Sequence, residues 1–391
     1  MLLISRPART DRRDAMVLAA AVSNLTFEWV DGVDGDTVEE RVLPPGDRPK
    51  HKSSDTAVRG SWRAHMNALR KVVEEGLPSA LIMEDDVDWD LRIKSQLQTF
   101  GAASNAWLRT TSDMKSKPLV GLSEADPLVT YRPRRSGAEA RGSTGAVGRE
   151  DVERYSVLLD HQHCGTEFPN AGTSLPPPPL RVVVPDDPTV PAPRHLKPHP
   201  FASHDALGEL YPPHTRVVHA TTSPGTACTL AYAVSQRGAR KLLWQFGLED
   251  FSSQWDLMLG SWCAGGYVGG KTQDENIKND DNDKPPAGGT SGTTDGVDNE
   301  TSSNERRRDG SNRRRISRQH PTCLTVQPPI FGHYFAKKGA SDIRGQGGGY
   351  VTKVGTPYVR WSVRMNLNVL TEGGTAADVV DQLPDKGEAM W

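Results

Sequence analysis

The apolar run Ala80–Met83 ends directly in three adjacent carboxylates, Glu84, Asp85 and Asp86. A short continuous apolar run that follows a proline predicts a buried, central strand. Adjacent carboxylates repel one another and raise one another's pKa, so their position at the end of such a strand is costly. In open α/β sheets ligands bind at the carboxyl ends of the strands. We therefore expect a ligand site at this strand end.

Alternation along the strand predicts that Glu84 and Asp86 face one side and Asp85 the other. Two carboxylates that face one cleft suit a hard divalent cation, with water and phosphate oxygens as further ligands. The alternative is a solvated acidic turn that caps a following helix. The strand end by itself does not separate these two interpretations.

The residues before this strand alternate between strand and helix patterns. Met1–Ser5 and Phe27–Val30 predict short strands with a helix between them, and 55–75 predicts a longer helix that Gly76 ends. This spacing is typical of parallel βαβ units. We therefore predict an α/β fold with a mostly parallel, doubly wound sheet flanked by helices.

Three segments carry too few large apolar residues to form a core. We expect 101–150 to be a poorly ordered insertion, 175–200 an extended and exposed proline-rich loop, and 271–320 a disordered linker. We therefore predict one domain built from three parts. Residues 1–100 form its first half, residues 151–270 form its second half, and a C-terminal strand and tail in 321–391 complete the domain.

Charge and hydropathy exclude two classes of partner. The chain has 47 Lys plus Arg against 49 Asp plus Glu, a formal net charge of −2, whereas proteins that bind nucleic acid are usually more basic. An arginine-rich run at 306–318 lies in the same polar segment as several aspartates, so solvation is the simpler interpretation. No run approaches the roughly 18 apolar residues of a membrane span, so no spanning segment is expected.

The four cysteines, Cys164, Cys228, Cys263 and Cys323, are far apart and form no C-x-x-C pair. They predict either buried thiols or one or two disulfides in an oxidising compartment. His161, His163 and Cys164 lie too close together in sequence for a structural zinc site, which uses two separated pairs of ligands. Asn24-Leu-Thr and Asn299-Glu-Thr match the N-glycosylation triplet, which is frequent by chance.

Four separated parts of the chain resemble one known family in their order and spacing. The first has a strand, an arginine and a "DG" turn; the second has a helix with glycine and histidine and an acidic strand end; the third is a strand and helix with a later acid; and the fourth is a "PP" strand. They are Arg9–Met16 with Trp29–Gly35, Gly60–His65 with Leu81–Val87, Ala231–Leu243 with Asp256, and Val326–Phe331.

These segments are similar to glycosyltransferase family 25, which includes lipopolysaccharide galactosyltransferases, collagen β-galactosyltransferases and fungal relatives. The resemblance covers about half of the chain. It implies a GT-A fold, a UDP-sugar donor such as UDP-galactose, a glycan or glycoprotein acceptor, and inversion at the anomeric carbon. It also implies a divalent metal, Mn²⁺ or Mg²⁺, and it implies that residues 1–100 are the nucleotide-sugar half of the domain and residues 151–270 the acceptor-side half.

The resemblance also implies roles for individual residues. Glu84 and Asp86 are expected to bind the metal and the diphosphate, and Arg13, Asp34 and Asp85 to contribute to binding of the nucleotide. Asp256 is the candidate acid or base on the acceptor side, since transfer to a hydroxyl needs a general base. The alternative for Asp256 is an ordinary exposed acid on a helix.

The chain departs from the family pattern at two places. Ala64 stands where the family has the serine before the helix histidine, so His65 is expected to have a structural role only. The segment Tyr155–Gly165 replaces a stretch that begins with Trp-Asp in fungal relatives. A catalytically impaired binding module with the same fold is therefore one alternative to an active enzyme.

A glycoside hydrolase is a further alternative. It would need two carboxyl groups that face each other across a cleft, roughly 5–10 Å apart. Adjacent acids on one strand do not naturally supply such a pair. The compartment also stays open: the secretory pathway if an anchor precedes this chain, and the cytoplasm otherwise.

Overall fold

The computed structural model describes the chain in ten stretches. These are residues 1–44, 56–116, 128–130, 181–196, 211–221, 228–265, 267–268, 271–272, 322–335 and 355–387, with backbone alone for 112–116, 128–130, 267–268 and 271–272. The chain divides into two compact units, Met1–Gly265 with Pro321–Trp391, and Gly266–His320. The described part of the second unit is an antiparallel pair of two-residue strands.

Within these residues the fold mixes helices and strands, as predicted for an α/β chain. The helices are α1 (Thr10–Val22), α2 (Thr56–Glu74), α3 (Ile93–Ser116), α4 (Gln236–Trp244), α5 (Trp255–Cys263) and α6 (Leu367–Thr371). The strands are β1 (Leu2–Ser5), β2 (Glu28–Asp31), β3 (Ser79–Glu84), β4 (Val87–Trp89), β5 (Leu128–Thr130), β6 (Arg181–Val184), β7 (Arg216–Ala220), β8 (Ala231–Ser235), β9 (Tyr267–Val268), β10 (Lys271–Thr272), β11 (Leu324–Gln327) and β12 (Phe331–His333).

The first sheet has the order β2-β1-β3-β8 and combines both strand directions. β1 pairs in parallel with β2 and β3, which confirms the predicted βαβ arrangement. β8 pairs with β3 in the antiparallel direction and forms the other edge. Because β3 has a neighbouring strand on both sides, its carboxyl end, at Glu84, belongs to an inner strand of the sheet.

The other strands of the first unit form a second mixed sheet and a separate pair. The second sheet has the order β11-β7-β6-β5, and β12 pairs with β4 directly after the acidic turn. Side chains from both sheets and from the pair contribute to one hydrophobic core, among them Leu3, Met83, Trp89, Val182, Leu324 and Phe331. This shared core brings the C-terminal strands next to the end of β3.

Helix α2 packs against the turn that follows β2, and a glycine makes this possible. A Cβ atom at Gly60 would lie 2.3 Å from the carbonyl oxygen of Val33, so only glycine fits without movement of the backbone. On its other side, Trp62 donates a hydrogen bond of 2.9 Å from Nε1 to the carbonyl oxygen of Phe246. The predicted end at Gly76 is also present, with a positive φ of 65°.

Two segments contribute more to the core than we predicted. α3 extends through 101–116, the first part of the expected insertion, and buries Ala103 and Trp107. In the proline-rich segment 175–200, β6 has four buried residues, and Val190 is buried as well. The expectation of an exposed loop is therefore wrong for 181–184, because valines there pair with β7. Most of 101–180, the His161–Cys164 cluster and nearly all of 271–320 lie outside the described residues.

The described cysteines are disulfide-bonded, as in the second of the two predicted alternatives, rather than buried thiols. Cys263, the last residue of α5, forms a disulfide with Cys323, which precedes β11, with a Cα–Cα distance of 5.4 Å. Cys228 is also disulfide-bonded. Both are typical of proteins that fold in an oxidising compartment.

Candidate functional site

The chain turns immediately after Glu84, and this turn places the three acids in different surroundings. Strand β3 ends at Glu84, Asp85 and Asp86 form the turn, and β4 begins at Val87. The simple alternation predicted for the acids therefore does not extend beyond Glu84. None of the three lies on open surface, since their side chains are 30%, 9% and 16% exposed, respectively.

Asp86 lies between two cationic side chains from distant parts of the chain. Its Oδ2 lies 3.2 Å from a terminal nitrogen (Nη1) of Arg12 on α1 and 3.3 Å from Nε2 of His333 on β12. The carbonyl oxygen of Asp86 accepts a 2.8 Å hydrogen bond from the backbone N–H of Tyr334. Asp86 is thus held through both its side chain and its backbone.

The other oxygen of the Asp86 carboxylate, Oδ1, is buried and has no hydrogen-bond partner among the described residues. Burial opposes ionisation, but the charge and hydrogen bond of His333, with Arg12 and Arg364, lower the pKa of Asp86 below its usual value. Burial likewise opposes protonation of His333, and Asp86 raises the pKa of that imidazole. An ionised carboxylate with one unpaired buried oxygen is a ready acceptor for a cation or a donor group.

Arg12 also neutralises Asp85. Its Nη1 lies 2.5 Å from Oδ1 of Asp85, so one guanidinium serves two adjacent carboxylates. Burial and the charge of Asp86 raise the pKa of Asp85, and Arg12 partly opposes this rise. Arg364 approaches from the C-terminal segment and donates to the carbonyl oxygen of Asp85 at 3.3 Å. The main contact of the Asp85 carboxylate is therefore its ion pair with Arg12, which it holds in place.

Glu84 is held from the other side by a chain of hydrogen bonds. Thr229 donates from Oγ1 to Oε1 of Glu84 at 2.7 Å, and Nε2 of His65 lies 3.3 Å from the same oxygen. Nδ1 of His65 lies 3.1 Å from the hydroxyl of Tyr232, and Trp255 stacks on the imidazole ring. Both imidazole nitrogens of His65 have a hydrogen-bond partner when the Tyr232 hydroxyl donates to Nδ1 and Nε2 donates to Glu84.

Asp256 lies in the first turn of α5, close enough to Glu84 for their charges to interact. Its Oδ2 accepts a 3.1 Å hydrogen bond from the backbone N–H of Cys228. Burial raises the pKa of Asp256, and the charge of Glu84 adds to this effect. The alternative of an ordinary exposed helix acid is therefore wrong, because Asp256 is only partly exposed and its carboxylate accepts a hydrogen bond from the backbone of Cys228.

Two further acids on the same stretch organise the C-terminal segment behind the turn. Asp88 is fully buried and accepts hydrogen bonds from Thr356, Ser362 and the backbone N–H of Arg364. Asp90 accepts a 3.0 Å hydrogen bond from the backbone N–H of Trp361. These contacts fix the segment that carries Arg364, whose guanidinium also lies 4.6 Å from the centroid of the Tyr334 ring.

Arg13 and Asp34, the predicted nucleotide residues, lie near the carboxyl ends of β1 and β2. Arg13 donates to the carbonyl oxygen of Ser5 at 2.9 Å and lies over the Trp29 ring at 4.6 Å. Asp34 is exposed and pairs with Arg6. Arg13 thus contacts β1 and β2, and Asp34 contacts Arg6, the residue after β1. The role of both residues in nucleotide binding stays a prediction.

Sequence reasoning missed most of the partners that surround the acids. Arg12 lies inside the first family-like segment but was not singled out, and His65 was given only a structural role. Thr229, His333 and Arg364 carry no local pattern that distinguishes them. Their positions depend on how β8, β12 and the C-terminal segment meet β3, which no short motif encodes.

No group of three or more His, Cys, Asp or Glu side chains that could hold a metal ion occurs within the described residues. In the same part of the chain, no helix is long and apolar enough to cross a membrane. Comparison with known proteins adds no identification: no family model matches the chain, and no curated protein matches it either.

Proposed function

We propose that the chain is an inverting glycosyltransferase with a GT-A fold. It would move a hexose, with galactose as the first candidate, from a UDP-sugar to a hydroxyl group of a glycan or glycoprotein. The observation that carries this proposal is Asp86, a carboxylate kept ionised by His333, Arg12 and Arg364, whose buried Oδ1 has no partner among the described residues, directly after β3. Sites for phosphorylated ligands favour this position in α/β folds.

The donor set fits a hard divalent cation in part. Glu84 and Asp86 offer carboxylate oxygens, which Mn²⁺ and Mg²⁺ accept, and Asp86 Oδ1 has no other partner among the described residues. Since no group of three such side chains is arranged to hold a metal ion in the described part of the chain, the remaining positions would fall to water and diphosphate oxygens. When bound, such a cation supplies positive charge that stabilises the leaving diphosphate.

Protein cations next to the acids support the same function. Arg12 and His333 both contact Asp86, and Arg364 contacts the backbone of Asp85. Positive groups around a leaving diphosphate stabilise the charge that develops on it, and they do so without rearrangement when they are already held in place. Arg13 and Asp34 are proposed to bind the nucleotide, farther along the same sheet edge.

Asp256 is the proposed general base for the acceptor hydroxyl. Its raised pKa makes the carboxylate a stronger proton acceptor than an exposed aspartate, and its backbone partner Cys228 fixes its orientation. It lies on α5 and Glu84 lies at the end of β3, so the donor-side and acceptor-side acids come from different elements. The disulfides favour the secretory pathway as the compartment in which this reaction takes place.

The experiment that tests the proposal is incubation with a panel of UDP-sugars and Mn²⁺, scored by release of UDP with several acceptors. Calorimetry of each UDP-sugar with Mn²⁺ and with EDTA separates binding from transfer. Donor-dependent UDP release that EDTA removes is the expected result. Mn²⁺-dependent binding without release would indicate the impaired binding module, and absence of binding under both conditions would remove both interpretations.

The proximity of Asp256 to Glu84 also favours a second candidate, the glycoside hydrolase. Here two carboxyl groups on different elements would flank a glycosidic bond, and the raised pKa of Asp256 would suit an acid catalyst. The test is release of reducing sugar from glycosides in the absence of any UDP-sugar. Hydrolysis that continues in EDTA, with no UDP-sugar binding, would favour the hydrolase over the transferase.

A further inference from the structure

Three consecutive residues, Cys228–Leu230, contact both of the acids on which the proposed reaction depends. The backbone N–H of Cys228 donates to Oδ2 of Asp256 at 3.1 Å, and the hydroxyl of Thr229 donates to Oε1 of Glu84 at 2.7 Å. The carbonyl oxygen of Leu230 accepts the backbone N–H of Glu84 at 2.9 Å. One tripeptide therefore spans the distance between the donor-side and the acceptor-side carboxylate.

Both ends of this tripeptide are fixed. Cys228 is disulfide-bonded. Its φ of 72° lies in the left-handed region, which residues other than glycine rarely adopt. Leu230 is buried and leads directly into β8, which pairs with β3. An unfavourable backbone conformation persists only where surrounding contacts enforce it, and such positions concentrate at functional sites.

We propose that Thr229 is a positioning residue for Glu84, and that the segment Cys228–Leu230 fixes Glu84 relative to Asp256. The catalytic roles of Glu84 and Asp256 rest on the proposed function. The contacts that link both acids to Cys228–Leu230 do not depend on it. Thr229 and His65 both contact Oε1 of Glu84. These two contacts hold the carboxylate group and thereby set the direction in which its other oxygen points. A cation ligand with a fixed direction loses less entropy on binding than a mobile one.

The first test compares Thr229→Val with Thr229→Ser. Valine keeps the shape of threonine but removes the hydroxyl donor, while serine keeps the donor. Thr229→Val is expected to weaken Mn²⁺-dependent UDP binding about tenfold in calorimetry, and Thr229→Ser to stay within about threefold of the wild type. Equal affinities for all three proteins would overturn the positioning role while leaving the proposed function intact.

The second test does not depend on any activity. Double-mutant cycles in urea unfolding combine Thr229→Val with Glu84→Ala and, separately, with Asp256→Ala. The cycle with Glu84 is expected to show coupling of about tenfold in the unfolding constant, and the cycle with Asp256 about threefold. A cycle with exposed Asp14→Ala serves as the control and should be additive.

The outcomes separate the proposed function from the positioning role of Thr229. If the wild type binds no UDP-sugar, the proposed function fails, and the cycles still decide whether the linkage exists. Additivity of Thr229 with Glu84 would refute the positioning role. Coupling with Glu84 but additivity with Asp256 would refute the bridge between the two acids.

Discussion

The hydroxyl of Thr356 donates a hydrogen bond of 2.6 Å to Oδ2 of Asp88, across 268 positions of the chain. With Ser362 and the backbone of Arg364, Thr356 makes Asp88 the point at which the C-terminal segment is attached behind the acidic turn. The same acidic stretch therefore has two roles: Glu84–Asp86 form the candidate site, and Asp88 fixes the segment that supplies Arg364.

Replacement of Asp88 by alanine is expected to destabilise the protein strongly. The change leaves several buried donors without an acceptor, so the free energy of unfolding should fall by about 3 kcal/mol or more. Urea unfolding followed by tryptophan fluorescence measures this. The control is Asp14→Ala at an exposed helix position, which should stay within about 0.5 kcal/mol of the wild type; a similar effect for both variants would contradict the assigned role.

Asp86→Asn is expected to weaken Mn²⁺-dependent UDP-sugar binding by about 100-fold, because the charged ligand with the unpaired oxygen is lost. The fold should persist, but with lower stability, since His333 and Arg12 lose the charge that they share. Calorimetry and urea unfolding measure the two effects. Asp85→Asn is the matched variant, for which a binding loss of only about tenfold is expected, through Arg12. Equal losses for both would argue against Asp86 as the principal ligand.

Asp256→Asn is expected to reduce transfer about 10²–10⁴-fold, because an amide cannot accept the proton of the acceptor hydroxyl. The amide oxygen can still accept the hydrogen bond from Cys228, so the local structure should be retained. UDP-sugar affinity is therefore expected to change by less than about threefold. Transfer rates and calorimetry on the same preparation check both parts, and unchanged transfer would exclude Asp256 as the base.

The pair formed by Asp187 and Arg216 predicts a pH dependence of stability. Burial opposes ionisation of Asp187, but the charge of Arg216 and hydrogen bonds with Thr189 lower the pKa of Asp187 below the ordinary value. Because its folded pKa lies below the unfolded one, the stabilisation is complete above pH ~4 and is lost as the pH falls through the folded pKa.

Asp187→Asn tests this dependence. The variant is expected to be less stable than the wild type by about 3 kcal/mol at pH 7, because a buried guanidinium loses its partner. The difference should shrink as the pH falls below ~4, where the wild type loses the same charge. Urea midpoints measured between pH 7 and pH 2 provide the comparison, and a difference that stays constant over this range would contradict it.

Local pattern was sufficient for the elements that lead to the site. The apolar run before Glu84 and the helical spacing that Gly76 ends each became the element that was expected. Such local features depend on contacts within a few residues, as in the hydrogen bond that the side chain of Ser235, before α4, accepts from the backbone N–H of Gly238. Arg181–Val184 is the counter-example, because nearby prolines suggested exposure while pairing with β7 decided burial.

The amino-acid sequence alone determined where the acids lie along the chain and that a strand presents them at its carboxyl end. Only the tertiary structure decided which acid keeps an unpaired oxygen, because that depends on partners more than 70 residues away, such as Arg12, and on the approach of Thr229 and His333. Hydrogen-bond strength and charge interaction depend on distance in space rather than distance along the chain. Strand identity could therefore be inferred from pattern, whereas the chemistry of the site required the fold.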